Sequence, residues 1–597
     1  MTARLALRRS LVEALRPWVD ARVLDAADVS VASTVCQLAE ETDPEVVLAV
    51  ALALRAPRSG HVALDLFRVE EQVLADIEHL DPDAVVAVLE LPWPADARRW
   101  FERVCASPVA VGGASPLVVE HDLVYLRRFH RAECRVAERL SALAGEPSVA
   151  GAPVEQVAEA LQLDPGQRAA VERCLAGRLG VLTGGPGTGK TRTVAAFLAV
   201  LLGGAPVGGR PRIALAAPTG KAAARMGESI AGSIDLLRAS PEFVEIADEM
   251  AAVEPSTVHR LLGVRRGTGS FRHDARRPLP HDVVIVDEAS MMSLSLVDAL
   301  LEALRPGARL VLVGDPAQLA SVEAGSVLGD IAAADGPVAG RVSELVVSRR
   351  FPADSRIGRF AAAVRSGDVA TAVGVLDDAS GGSTGAAVLV HVADPGDVVD
   401  RITDGAAALG RAALDGDVAG ALAELDRLRV LCAHRRGRAG VAHWNRVAEA
   451  ALPGSGRSSI ATSPGRPLMV TRNDPTRGLF NGDLGVVVRT PDGPRVAFGP
   501  TEPARLIAPA HLDAVETVHA MTIHKSQGSE FDEVIVILPS ADSRLASREL
   551  LYTAVTRARA SVTLVGDRAT IAAAIARRVE RTSGLRARLS HEATSDG

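Results

Sequence analysis

Lysine is almost missing from this chain of 597 residues: Lys190, Lys221 and Lys525 are the only three, although Lys and Arg together number 66. A composition rich in Ala, Gly, Val and Arg points to a G+C-rich coding sequence in which arginine codons have replaced lysine codons. The surviving lysines then mark positions where a compact ammonium serves and a planar guanidinium does not. Cysteine is sparse as well. Cys36, Cys105, Cys134, Cys174 and Cys432 are odd in number, widely spaced and never paired as CxxC. This argues against a disulfide framework or a metal cluster and leaves small buried hydrophobes. Aromatic residues make up only 3%, which limits extended base stacking. No apolar run approaches the roughly 20 residues of a membrane span. The N-terminal stretch MTARLALRRSLVEALRPWVDARV alternates charge with apolar residues and lacks the unbroken apolar core of a signal peptide. A cytoplasmic protein is expected. The net charge of −7 excludes bulk coating of nucleic acid but permits a local basic groove.

Hydrophobic residues amount to 48%, enough for two to four domains each with a core. Residues 1–145 carry Leu, Ala and Val at helical periods, and SPLVVEHDLVYLRRFHRAECRVAERL reads as a β-hairpin entering a helix. A helical accessory or docking domain is expected there. From 146 to 340, short apolar runs alternate with helical segments (LGVLT, IALAAP, DVVIVDEAS, ARLVLVGD), the pattern of a parallel sheet buried on both faces. A second set (LRVLCAH, DEVIVIL, SVTLVGD) lies in 341–585. The fold class is therefore α/β, with two tandem parallel-sheet domains. GGSTGAA at 381–387 reads as a loop. The Gly/Pro-rich alternating stretch near 455–515 reads as a small barrel inserted in the second domain. The tail, 586–597, is expected to be flexible.

Within LGVLTGGPGTGKTRTVAAFLAVLL the order is strand, glycine loop, helix, and Gly184, Gly185, Pro186, Gly187, Thr188, Gly189, Lys190 and Thr191 match G-x-x-x-x-G-K-[ST]. The glycines let backbone N–H groups converge on phosphate oxygens beside the positive end of the helix. Lys190 is expected to reach the β/γ-phosphates of ATP and Thr191 to hold Mg²⁺, with Arg192 next to them. HDVVIVDEASMM ends a strand in Asp287 and Glu288. An acidic pair at a strand end can be a solvated edge. About a hundred residues after a phosphate loop, the catalytic reading prevails: Asp287 on the Mg²⁺ side, Glu288 orienting water. Gln167, just upstream, has an amide able to read both edges of adenine; a plain surface glutamine is the alternative.

The segments IALAAPTGKAAARM, STVHRLL, VDEASMM, VGDPAQLASVEAG, VVSRRF, MTIHKSQGSEFDEVIVI and ELLYTAVTRARASVTLVG follow in order. Over about 160–575 this series resembles the motif set of superfamily 1 helicases, in the branch that moves 5′→3′ on DNA. The resemblance implies two RecA-like P-loop domains and an SH3-like insert. It also implies Gln318 as a γ-phosphate sensor, Arg350 and Arg557 reaching the γ-phosphate from the second domain, and Glu530 on the nucleotide ribose. DNA contacts are implied for Thr219, Lys221, Thr257 and His259 in the first domain, and for Thr522, His524, Lys525 and Ser526 in the second. His259 reads equally as a core histidine. VRRGTGSFRHDARRPLP (264–280) reads as a basic hairpin, a wedge for the duplex or else a solvated loop.

PLVVEHDLVYLRRFHRAECRVAERL, LDPGQRAAVERCLAGRLGVLTGGPGTGKT and GRPLMVTRNDPTRGLFNGDLGVV resemble the RecD family, the α subunits of exonuclease V (RecBCD). This implies RecB- and RecC-like partners bound through the N-terminal domain, and a role at double-strand breaks. A nuclease centre wants clustered carboxylates with a lysine, and all three lysines are already assigned. A free-standing 5′→3′ helicase and a scaffold with a structural nucleotide remain as alternatives. Lys190→Gln is expected to abolish ATP hydrolysis without unfolding the chain, because a phosphate ligand is lost and the core is untouched; turnover by a folded variant would contradict the assignment.

Overall fold

The structure, a computed structural model, describes residues 10–80, 85–146, 154–205, 209–377, 388–453 and 463–590, apart from 266, 268, 475, 500–503 and 542. The first nine residues, the 381–387 loop and residues 591–597 of the expected tail lie outside the described residues.

In the N-terminal unit, helix Pro44–Arg55 begins on Asp43, whose carboxylate accepts from the Glu45 N–H at 3.0 Å, with Pro44 in the first turn where no N–H is needed. Its sequence is apolar on all sides, and accordingly it is the central helix of a core holding Trp18, Trp100 and Val104. Strands β1 (Ala63–Leu64), β2 (Leu117–Glu120) and β3 (Leu123–Leu126) form an antiparallel sheet in the order β1-β3-β2. The β2–β3 turn places both His121 and Asp122 at positive φ, as a two-residue hairpin loop requires.

The next helix, Arg127–Gly145, does not belong to that unit, contrary to the expected boundary at 145. Its apolar stripe, Phe129, Val136 and Leu140, is buried with Leu294, Val297 and Leu301 of helix Leu294–Ala303. Arg135 Nε donates to Asp298 at 3.0 Å across the same seam. The break between cores runs through the small sheet: Ala63 and Tyr125 lie in this core, Leu64 and Val124 in the N-terminal one.

The first α/β unit has six parallel strands: β4 (Leu179–Gly184), β5 (Ile213–Ala217), β6 (Ser256–Thr257), β7 (Val283–Val286), β8 (Arg309–Gly314) and β9 (Val342–Leu345), ordered β6-β5-β7-β8-β4-β9. One face packs on Val136 and Leu300, the other on Phe197 and Ile230, so β4, β7 and β8 are buried throughout. The second unit contains β10 (Val388–Val392), β11 (Leu428–Cys432), β17 (Ala520–Thr522), β18 (Phe531–Ile537) and β19 (Ala558–Val565), again parallel, ordered β10-β19-β18-β11-β17. Between β11 and β17 lies an antiparallel sheet of β12 (Pro467–Val470), β13 (Leu484–Thr490), β14 (Gly493–Phe498), β15 (Arg505–Ile507) and β16 (Val515–Thr517), ordered β15-β14-β13-β12-β16. No pairing among the described residues joins β15 to β16. One face of this insert packs on Leu409 and Leu425, and the other closes over Leu479 and Phe498.

Residues 586–590 are not a loose tail. Helix Leu585–Ser590 buries Leu585 and Leu589 in the core of the first α/β unit. Arg588 Nε donates to the fully buried Glu133 at 3.0 Å. The Thr582 carbonyl accepts from Val62 N–H at 2.9 Å, and its own N–H reaches His61 Nδ1 at 3.1 Å. The chain end thus returns from the second unit to the seam between the first unit and the N-terminal one. Composition alone suggested fraying, because the acidic partner Glu133 is 455 residues away in sequence.

Near Glu133, with which it shares Ser583, Asp330 accepts from Ser583 Oγ at 3.1 Å, and burial pushes its pKa up to about 7. The folded state therefore keeps a proton that the unfolded chain has lost. The stability this contributes is complete below the ordinary carboxylate range and disappears as pH rises through about 7. Asp330→Asn is expected to raise the thermal midpoint over wild type by a margin that widens from pH 5 to pH 8; a constant margin would contradict this.

Candidate active site

The glycine loop leaves β4 at Gly184 and turns into helix Lys190–Gly203, with Gly187 and Gly189 at φ +77° and +81°. Only glycine takes this geometry without strain, and a side chain at Gly187 would collide with Arg350. Lys190 Nζ donates to the carbonyls of Gly184 and Gly185 at 2.7 and 3.0 Å. Thr188 Oγ1 donates to the Gly185 carbonyl at 2.8 Å, and Thr191 and Arg192 are half-buried in the first helical turn.

Gln167 is not a plain surface glutamine. It is fully buried, its side-chain oxygen accepts from Asp164 N–H at 3.1 Å, and its amide donates to the Thr188 carbonyl at 3.0 Å. Asp-Pro-Gly-Gln is a capping box opening helix Pro165–Leu175. The glutamine ties that cap to the phosphate loop, so its amide is engaged by protein at both ends.

At the end of β7, Asp287 N–H donates to Ala216 O at 2.9 Å, and an Asp287 oxygen accepts from Glu288 N–H at 2.8 Å. Burial, with the Glu288 charge adding and Lys190 opposing, pushes Asp287 up to about 6. Glu288 sits at φ +52°, a left-handed conformation that costs a side-chain residue energy and is typical of functional positions. Among the described residues no group of three or more His, Cys, Asp or Glu is gathered to hold a metal by itself. Thr191 and Asp287 offer hard oxygen donors, a set suited to Mg²⁺ that arrives with phosphate oxygens and water.

The second unit meets this loop directly. Arg349 N–H donates to Gly187 O at 2.8 Å, and Ser348 Oγ to Pro186 O at 3.1 Å. Arg557, buried, donates from Nη2 to Gln318 Oε1 at 3.0 Å and from Nε to Thr553 O at 3.1 Å. Burial lowers its pKa. Gln318 in turn donates to Asp315 at 3.1 Å. Arg350 Nη2 bonds Glu530 at 2.6 Å, and Arg225 lies 3.3 Å from the other Glu530 oxygen. Burial alone would raise the Glu530 pKa; the charges of Arg225, Arg350 and Arg557 outweigh it and hold the carboxylate below its usual range. Gln318, Arg350, Arg557 and Glu530 are thus gathered at one cleft with the glycine loop.

Sequence reading passed over Arg225, Asp315, Ser348, Arg349 and Tyr552. A side chain at Gly185 would come within 2.7 Å of the Tyr552 hydroxyl, so this tyrosine closes the loop from above. With only two tyrosines in the chain, Tyr552 inside ELLYTAVTRAR was a usable signal.

The expected DNA contacts separate into two groups. His259 is exposed, so it is not a core histidine, and its ring lies 6.1 Å from Phe271 in the 264–280 segment. That segment carries two isolated antiparallel bridges, Val264 with Phe271 and Asp274 with Arg277. Lys525 is exposed, with Nζ 2.5 Å from Glu516, and His524 is half-buried. Thr219 and Thr257 cap helices Gly220–Arg238 and Val258–Leu262, accepting from Ala222 and Arg260 N–H. The other three are turned inward. Thr522 is buried and caps the next turn at Lys525 N–H, and Ser526 is fully buried with its hydroxyl on Ile523 O at 2.7 Å. Lys221 points into the interdomain cleft, donating to Ser529 Oγ at 2.8 Å, and burial, with Arg225 adding, lowers its pKa to about 8. Burial, not capping, separates these three from Thr219 and Thr257, which also cap helices.

Profiles of known families match the chain in three places: the RecBCD enzyme subunit RecD N-terminal domain over residues 20–125, an AAA domain over 162–382, and a UvrD-like helicase C-terminal domain over 517–565. The RecBCD enzyme subunit RecD of Mycolicibacterium smegmatis is 47% identical over 586 residues, 97% of this chain and 99% of that one. The protein of the same description from Mycobacterium tuberculosis is 44% identical over 96% of both chains. The ATP-dependent RecD2 DNA helicase of Deinococcus radiodurans is 31% identical over 85% of this chain and 63% of its own length.

Gly187→Ala is expected to weaken nucleotide binding about tenfold, because left-handed strain of about 1–2 kcal/mol adds to the collision with Arg350. Equilibrium binding of a fluorescent ATP analogue reads it, and wild-type affinity would contradict it.

Proposed function

The chain belongs to the RecD family, and we propose that it is the 5′→3′ translocating subunit of a RecBCD-type assembly that processes double-strand DNA breaks. It is an ATP-dependent DNA helicase; the direction of travel, the residue roles and the partners are what the proposal adds. The observation that carries it is the junction of Arg557 with Gln318 at 3.0 Å across a cleft floored by the glycine loop, beside which Arg350 is held on Glu530 at 2.6 Å. A structural nucleotide would need neither the strained Glu288 nor two arginines brought from a second domain.

In this reading Lys190 exchanges the Gly184 and Gly185 carbonyls for β/γ-phosphate oxygens, and the loop N–H groups hold the rest of the phosphate chain. Mg²⁺, when bound through Thr191 and Asp287, supplies neutralising charge at those oxygens. Glu288 orients the attacking water, and Arg350 and Arg557 stabilise the charge that develops on the transferred phosphoryl group. Gln318, bonded to Arg557, reports loss of the γ-phosphate to the second unit, so hydrolysis loosens the cleft and resets the hinge. Single-stranded DNA lies over Thr219, Thr257, His259, His524 and Lys525, gripped through its backbone without reading sequence. The 264–280 segment is the duplex wedge, and the 467–517 sheet is read as a small SH3-like barrel. Residues 10–126 form the face for RecB- and RecC-like subunits, with nuclease chemistry left to those partners.

Strand displacement with ATP and Mg²⁺ on duplexes bearing a 5′ or a 3′ single-stranded tail tests this, with Lys190→Gln as control. Unwinding from the 5′ tail alone is expected; unwinding from the 3′ tail alone would overturn the direction. DNA-stimulated ATPase without unwinding by the free chain would assign the duplex work to the assembly, and loss of both would favour a scaffold.

A further inference from the structure

Residues 528–530 are held from two sides at once. From the first α/β unit, helix Gly220–Arg238 sends Lys221 and Arg225, one turn apart on the same face, across the cleft. Lys221 Nζ donates to Ser529 Oγ at 2.8 Å, Arg225 Nη1 donates to Gly528 O at 3.0 Å, and Arg225 Nη2 lies 3.3 Å from Glu530 Oε2. From the other side, Arg350 Nη2 donates to Glu530 Oε1 at 2.6 Å and Arg557 Nη1 to Ser529 O at 3.4 Å. Arg559 is more distant, 3.9 Å from Glu530 Oε2. One carboxylate is therefore divided between an arginine destined for the γ-phosphate and an arginine on the helix that Thr219 caps.

We propose that Arg225 is a positioning residue that governs when Arg350 can leave Glu530 for the nucleotide, and so links the DNA-side helix to ATP hydrolysis. This rests on the roles assigned above to Arg350 and Thr219. When Arg350 departs, Glu530, with its side chain only 18% exposed, must keep a counter-charge or bear a desolvated, unpaired carboxylate. Arg225 already occupies the second oxygen and supplies that charge. Without it the carboxylate clings to Arg350, and the arginine stays off the phosphate. DNA phosphates engaging the N-terminus of the Thr219-capped helix shift the base on which Arg225 stands, and with it the share of Glu530 left to Arg350. Arg225 touches no reacting atom in this scheme; its effect passes through Glu530.

The test is steady-state ATPase of the full chain in its assembly, with and without oligo(dT), for wild type, Arg225→Ala, Arg225→Lys, Glu530→Gln and the Arg225→Ala/Glu530→Gln pair. Arg225→Ala is expected to lower DNA-stimulated kcat about tenfold or more, the worth of a charged hydrogen bond, with KM for ATP changed less than about threefold. Arg225→Lys should recover most of the loss. In the Glu530→Gln background, Arg225→Ala should change kcat by less than about threefold, because the charge it balances is gone. Wild-type kcat in Arg225→Ala, or the same loss in both backgrounds, would overturn the proposal; a loss that lysine does not recover would assign Arg225 to packing and overturn it too. Absence of DNA-stimulated turnover in wild type would instead overturn the motor reading, and this inference with it.

Discussion

A guanidinium buried between two domains is costly unless every donor finds an oxygen, and Arg557 sets that condition for the whole cleft. It meets Gln318 from the first unit, and Thr553 and Ser529 from its own. Those partners stand around it because the carboxyl edge of the first sheet, where Gln318 follows β8, meets the amino edge of the second, where Ser529 and Arg557 precede β18 and β19. The same edge orientation puts Asp287 and Glu288 after β7 and Gln318 after β8 in one crevice with the glycine loop. The position of one charge thus ties the facing edges of the two sheets together beside the glycine loop and Arg350.

The interdomain contact is largely polar and layered, with one apolar anchor, Leu319 of the first unit buried among Phe351 and Leu550 of the second. Around the loop it consists of Ser348, Arg349 and Arg350 against Pro186 and Gly187; farther out, of Lys221 and Arg225 against residues 528–530. Hydrogen bonds of this kind are individually modest in net worth, about 1 kcal/mol, and can be exchanged for bonds to phosphate without exposing apolar surface. A cleft that must open and close is better served by such contacts than by packed Leu and Val. The seam at the other end of the molecule is the opposite case. Leu585 and Leu589 are fully buried and Glu133 is neutralised by Arg588, so the chain end is fastened to the first unit while the cleft stays exchangeable.

Much of this was legible in the residues. Gly184 to Thr191 between an apolar strand and a helix, Asp287-Glu288 closing a Val-rich run, and alternating β and α segments determine the α/β class and the phosphate loop, because the chemistry there is local: a strand, a turn at positive φ, a helix N-terminus. The antiparallel insert was legible from its turns and alternation. The burial of Gln167 and Ser526 was not, because each side chain bonds neighbouring backbone, a role that the residue type alone does not separate from ligand binding. Lys221 stood out in a chain with three lysines, but its direction depends on Ser529, 308 residues away.

By itself, then, the sequence determined the motifs, their order and the chemistry each can perform, since those follow from residue type and short spacing. Tertiary structure alone decided which charges face one another: Arg350 and Arg225 on one Glu530, Arg557 on Gln318, Arg588 on Glu133. These pairs span 180 to 455 residues of chain, and electrostatic partnership depends on distance in space and on burial, neither of which spacing along the chain encodes.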